Sequence, residues 1–146
     1  MVDHKGGARM GLFDFLKGKS LKGKTKQKSS NTIDQYSNIK TLHIESMMYY
    51  QKARELYERN EVFFPTLQES VRFQLLNHQK NGFDRVEILA AESQSCNVCQ
   101  KMNDNVLTIT TALKNMPIPR KDCKHSPNEN GEGWCRCTYV PYVDDL

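Results

Sequence analysis

A chain of 146 residues, 38% of them apolar and with a mean hydropathy of −0.70, has the size of one compact domain and little apolar material for a large core. Its net charge of +4 is uneven: residues 1–30 carry eight Lys or Arg against Asp3 and Asp14, a surplus of +6 that leaves −2 for the rest. The body therefore lacks the basic surface of a dedicated nucleic-acid reader. With no apolar run near the roughly 20 residues of a membrane-spanning helix and no secretory-type apolar core, the expectation is a cytoplasmic protein without a membrane span.

Residues 1–9 have neither periodicity nor apolar content and read as disordered. Met10-Gly11-Leu12-Phe13-Asp14-Phe15-Leu16 is a short apolar cluster that runs into the Gly/Lys/Ser linker Lys17–Lys24. It could dock on a partner or a lipid surface, but it spans barely two helical turns, and a frayed terminus is the simpler reading. Myristoylation after a start at Met10 fails, because Phe15 stands where Ser or Thr is required. The eight cations of residues 1–30 make nucleic acid a candidate partner for this tail.

From Thr32 to Arg59, Ile33, Tyr36, Ile39, Leu42, Tyr49, Ala53, Leu56 and Tyr57 recur mostly at three- and four-residue steps, which predicts one helix with a buried face and a stop at Asn60. A second helix is predicted after Pro65, with Leu67, Val71, Phe73, Leu75 and Leu76 as its apolar residues, ending at Asn81-Gly82. Met47, Met48, Tyr49 and Tyr50 read as a helix-hairpin contact before they read as a binding surface. Beyond Gly82 the pattern changes: Arg85–Ala90, Asn105–Thr110 and Thr138–Val140 read as short strands, and Pro117, Pro119, Pro127, Gly131 and Gly133 punctuate the stretch between the last two.

All five cysteines fall in this last part, at Cys96, Cys99, Cys123, Cys135 and Cys137. In a reducing compartment an odd, clustered set points to metal ligation before disulfides. Cys96-Asn97-Val98-Cys99 can grip one tetrahedral ion from a tight turn, and Cys123, His125, Cys135 and Cys137 can complete the set. The first choice is Cys96, Cys99, Cys123 and Cys135, with Cys137 as nearest substitute and His125 behind it. Were Cys135 and Cys137 on a strand, both would face one side, and Arg136 would face the other and could pair with a carboxylate.

A segment of about 64 residues rarely gains more than about 3–5 kcal/mol from its core alone, whereas a structural zinc can contribute about 10–16 kcal/mol, so one Zn²⁺ is the expected staple. Redox use of Cys96 and Cys99 would call for a helix N-terminus in a βαβ context, whereas Met102–Asn105 reads as a turn; buried free thiols are the other simple alternative. His4, His43 and His78 fall into no nucleophile pattern, and a thiolate-rich set suits a closed structural site rather than a catalytic one.

The runs Gly82–Ala90, Cys96-Asn97-Val98-Cys99-Gln100-Lys101-Met102-Asn103, Met116-Pro117-Ile118-Pro119 and Trp134-Cys135-Arg136-Cys137-Thr138-Tyr139-Val140-Pro141 together resemble the C-terminal module of phage Mu F-like head morphogenesis (minor capsid) proteins. The resemblance covers at most the last 65 residues or so. It implies a strand, a C-x-x-C pair, a proline-containing stretch and a closing Cys-Arg-Cys followed by a strand. Where that family has His just before Cys-Arg-Cys, this chain has Cys123 and the insertion Lys124–Trp134, so Cys123 or His125 would take the histidine's part.

The sequence thus predicts an α+β protein, an N-terminal helical hairpin followed by a small zinc-stapled β-rich module. Its division is a flexible basic tail (1–31), a helical region (32–82) and a zinc-binding module (83–146). The expected role is a non-enzymatic structural or protein-interaction module with a protein partner; nucleic-acid association through the tail is the alternative.

Overall fold

The computed structural model describes residues 30–144, with side chains from Lys40 onward. The readings made for the basic tail, including the Met10–Leu16 cluster and nucleic-acid contact through residues 1–30, lie outside the described residues, as do the side chains of Ile33, Tyr36 and Ile39.

The two periodic stretches form helices α1 (Ser30–Glu58) and α2 (Phe64–Lys80). The chain leaves α1 through Asn60, whose φ of 57° is left-handed and suits Asn better than most residues. Pro65 stands in the first turn of α2, where its missing N–H costs nothing. The helices pack against each other through small residues and rings. Ser46 Oγ donates to the Ser70 carbonyl at 2.9 Å and Ser70 Oγ donates to the Ser46 carbonyl at 2.8 Å, so the backbones approach closely at that level. Tyr49 stacks on Phe73 with ring centroids 5.3 Å apart, and Ala53 is fully buried. Tyr49 makes the expected hairpin contact, but Met47 and Met48 are exposed.

Gly82, at φ 90°, turns the chain into a three-stranded antiparallel sheet of order β2-β1-β3. In it β1 (Arg85–Leu89) is central, with Arg85 opposite Thr108 of β2 (Val106–Thr108) and Leu89 opposite Thr138 of β3 (Thr138–Pro141). Val86 and Ile88 point inward and are buried, as alternation requires. Between β1 and β2 come a 3₁₀ turn (Glu92–Gln94) and the one-turn helix α3 (Asn97–Gln100).

The second predicted strand, Asn105–Thr110, is overturned beyond Thr108: Ile109–Asn115 is a helix, α4. The reason is local. Thr108 Oγ1 accepts the Thr111 N–H at 3.1 Å and caps the helix, and Ile109 and Ala112 bury the face that a continued strand would have split. Cys135 and Cys137 lie ahead of β3 rather than in it. Both are nonetheless buried with Arg136 exposed between them, and Arg136 meets the Gln94 carboxamide rather than a carboxylate.

The fold is α+β, a helical pair followed by strands. Its main core joins Leu75 of α2 to Val86, Ile88, Ile109, Ala112, Ile118, Tyr139 and four of the cysteines. A second core joins Ala53, Phe63 and Leu67 of the hairpin to Trp134.

Candidate metal centre

Three segments bring the thiols together. The first is the Cys96–Cys99 turn. Cys96 is the N-cap of α3, and the Gln100 side chain ties the turn down by donating to the carbonyls of Glu92 and Ser95, each at 3.2 Å. The pair does open a helical turn, but one of four residues beside an antiparallel sheet, not the βαβ setting of a redox pair.

The second segment, Pro117–Cys123, is held by Tyr139. Its hydroxyl accepts the Ile118 N–H at 3.4 Å and donates to the Ile118 carbonyl at 3.2 Å. The third, Gly133–Cys137, doubles back on the second, with the Trp134 N–H donating to the His125 carbonyl at 2.9 Å. Gly133 is required here for space: a Cβ would stand 1.9 Å from the Cys123 carbonyl oxygen and 2.9 Å from that of His125.

The sulfurs of Cys96, Cys99 and Cys123 all lie within 4.8 Å of one another, and so do those of Cys99, Cys135 and Cys137. Cys96 and Cys99 are 3.5 Å apart, and Cys99 and Cys135 are 3.8 Å apart. A tetrahedral zinc with Zn–S near 2.3 Å places its sulfurs about 3.8 Å from each other, so these spacings fit a thiolate-bound ion and not a disulfide, and all five cysteines are free. Every predicted cysteine is therefore in the cluster. The His125 imidazole belongs to neither group; what this residue contributes is its backbone.

The electrostatics are those of crowded sulfurs. Burial pushes the Cys99 thiol up, and the neighbouring Cys135 charge adds to the rise. Burial also raises Cys123 and Cys135, partly opposed by the backbone N–H of His125 at Cys123 and by those of Arg120 and Cys137 at Cys135. At Cys96 burial again acts upward, but the backbone N–H of Cys99, the Cys99 and Cys123 thiols and the Val98 N–H outweigh it, so this thiol is lowered. Backbone donors aimed at Cys96, Cys123 and Cys135 supply what a thiolate needs apart from its cation, and a divalent ion would reverse the mutual repulsion. Arg120, paired with Asp122 through Nε at 2.8 Å, also feels the charges of Cys99 and Cys96.

The loop between Cys123 and Cys135 anchors the centre to the hairpin. Asn60 Oδ1 accepts the Glu129 N–H at 3.0 Å, Asn130 Nδ2 donates to the Asn60 carbonyl at 2.8 Å, and Tyr57 donates to the Ser126 carbonyl. Trp134 stacks on Phe63 and meets Tyr50 and Tyr57 edge-on, with centroids 5.3–5.5 Å away. Beside it a cleft of about 1160 Å³ runs between α1, α2 and the Cys135–Thr138 segment, lined by Met47, Tyr50, Arg54, Gln74 and Arg136 among others.

Sequence reasoning missed the anchoring role of Asn60 and the tight approach at Gly133. The Gly133-Trp134 pair beside a cysteine was the signal available for the last. No helix among the described residues is long and apolar enough to cross a membrane. Comparisons with family models, with curated proteins and with solved structures return no match to this chain.

Proposed function

We propose that this chain is a non-enzymatic structural and protein-interaction module whose C-terminal part is stapled by one zinc ion held by Cys96, Cys99, Cys123 and Cys135. The observation that carries the reading is the convergence of three chain segments on sulfurs at ion-binding spacing, with backbone N–H groups directed at Cys96, Cys123 and Cys135. Cys135 is preferred over Cys137 as fourth ligand because its sulfur stands 3.8 Å from that of Cys99, the edge of a tetrahedral thiolate site. Four thiolates close the coordination sphere and leave no position for a reacting water. The zinc itself would supply charge neutralisation and a fixed crossing point for the three segments.

The resemblance to the C-terminal module of phage minor head proteins supports a structural role, with a phage or prophage origin. The exposed Met47 and Tyr50 along the cleft are where a protein partner would gain apolar contact. Metal analysis of protein purified without added zinc, paired with circular dichroism before and after chelation, tests the reading. About one zinc per chain and loss of structure on chelation are expected; a folded, metal-free protein overturns it.

A second reading, association with nucleic acid through the tail, is favoured by the +6 charge of residues 1–30. Its signature is affinity that falls steeply with salt and disappears when those residues are removed.

A further inference from the structure

A single tetrahedral ion uses four of the five thiols and leaves Cys137 over. Yet Cys137 is 7% exposed, and its sulfur lies within 4.8 Å of those of both Cys99 and Cys135. The cluster divides into two triads, Cys96/Cys99/Cys123 and Cys99/Cys135/Cys137, which have one member in common. We propose that the five thiols also form a binuclear site for a soft monovalent cation of the Cu(I) class, as two three-coordinate centres bridged by the Cys99 sulfur. The proposal uses the same cysteines as the zinc reading but does not depend on zinc ever occupying them.

Three thiolates around one ion at a metal–sulfur distance of about 2.3 Å lie about 4.0 Å apart in a plane. The distances of 3.5 Å for Cys96–Cys99 and 3.8 Å for Cys99–Cys135 are close to that edge, and the remaining edges fall within 4.8 Å. Two triads sharing one sulfur account for every cysteine in the chain. Neither triad includes a carboxylate or an imidazole, and an all-sulfur donor set discriminates against hard cations and in favour of Cu(I).

Cys99, the shared member, is fully buried, which shields the bridging sulfur from competing solvent. Binding involves no electron transfer. Copper enters as Cu(I), each thiol releases its proton to water, and the freed sulfur electron pair makes the bond, with Cys99 giving one pair to each ion. The Arg120 guanidinium, which already feels the Cys99 and Cys96 charges, offsets part of the negative charge of the loaded cluster.

The test is an anaerobic titration of the reduced, metal-free full chain with Cu(I) against a chromogenic chelator, followed by X-ray absorption at the copper edge. Two Cu(I) per chain with three sulfurs each are expected, with any zinc displaced as copper loads. In Cys137→Ser the copper stoichiometry should fall from two to one, while zinc loaded in the absence of copper stays at about one per chain. Saturation of the unsubstituted chain at one copper, two coppers in Cys137→Ser, or zinc retained alongside bound copper would each overturn the proposal.

Should Cys137→Ser fail to fold, Ag(I) loading of the unsubstituted chain read by native mass spectrometry decides: two ions support the bridged pair and one refutes it. The two readings fail separately. Two coppers with no zinc affinity would discard only the zinc staple, whereas one zinc and one copper would discard only the binuclear site.

Discussion

The helical hairpin and the cysteine-bearing end of this protein hold themselves together by different means. In the hairpin, burial is supplied by Ala53, Phe63 and Leu67 together with the stacked pair Tyr49–Phe73, and the Ser46–Ser70 exchange lets the helices approach closely. In the core of the cysteine end, four of the eleven buried residues that join Leu75 of α2 are thiols, on a sheet whose strands are three to five residues long. Thiols add little apolar area, so the second region is the one whose folding should hang on an ion, while the first has its own packing.

Chelation should break the comparison open with the largest effect, because apparent zinc binding energies in small modules are about 10–16 kcal/mol. Removing metal is expected to abolish the near-ultraviolet signal of the C-terminal core while much of the helical signal at 222 nm remains. Cys99→Ser should give the same result without chelator, since Cys99 belongs to both sulfur groups. Equal loss of both signals would mean the hairpin depends on the centre as much as the sheet does.

Trp134→Ala comes next. It removes the ring that fills the space between Phe63, Tyr50 and Tyr57, and large-to-small changes of this kind cost about 3–5 kcal/mol. Denaturant unfolding should show that loss, while zinc stays at about one per chain. If metal content falls as well, the centre needs the hairpin as its mould.

The two regions were not equally legible in the sequence. Helical periodicity over 29- and 17-residue spans is redundant, so α1 and α2 appear close to their predicted limits even with Ser46 and Ser70 unrecognised. The cysteine end offers short elements, where one capping side chain decides the outcome. Thr108 turned the predicted strand after Val106–Thr108 into α4, a choice that β-branched Ile109, Thr110 and Thr111 argue against when read locally.

The clustering of the cysteines was readable from spacing alone. The partition into two triads was not, because it depends on how Gly133 and the Cys123 turn cross. The 124–134 stretch carries no periodic pattern that marks it as more than a loop between ligands. In the fold it is the strap that seats Trp134 and bonds to Asn60, contacts about 70 positions apart in the chain and invisible to any local pattern.

Gly133→Ala sharpens this point. Its Cβ would fall 1.9 Å from the Cys123 carbonyl oxygen, a backbone atom that cannot rotate away, so the Cys123 turn must shift. Overpacking of this kind costs about 1–3 kcal/mol, and weaker zinc binding with an intact hairpin is expected. A variant with unchanged zinc affinity would show that the third segment can slide without disturbing the sulfurs.

Arg120→Gln keeps a polar side chain but removes the charge that senses Cys99 and Cys96. Loss of an outer partner commonly weakens a metal site by about 10–100-fold, and competition with a fluorescent chelator would resolve that. The loss should shrink as salt is added, since Arg120 is partly exposed.

The smallest effect is expected at His78, where the hairpin meets the sheet. Burial lowers this imidazole below its ordinary value of 6.5, and the Tyr139 backbone opposes the shift only in part. The folded state thus favours the neutral ring, and as pH falls through 6.5 the unfolded chain takes up a proton first. Stability contributed by the neutral ring is complete above that pH and declines below it, down to the lowered folded value. Zinc ligands protonate in the same direction, so the slope of one protein alone does not isolate His78. The difference between slopes does: His78→Gln should lose less stability than the unsubstituted chain between pH 7.5 and pH 5.5 in urea unfolding of the zinc-loaded proteins, by under one proton. Parallel slopes would place the acid sensitivity in the cysteine end alone and leave the hairpin–sheet junction indifferent to pH.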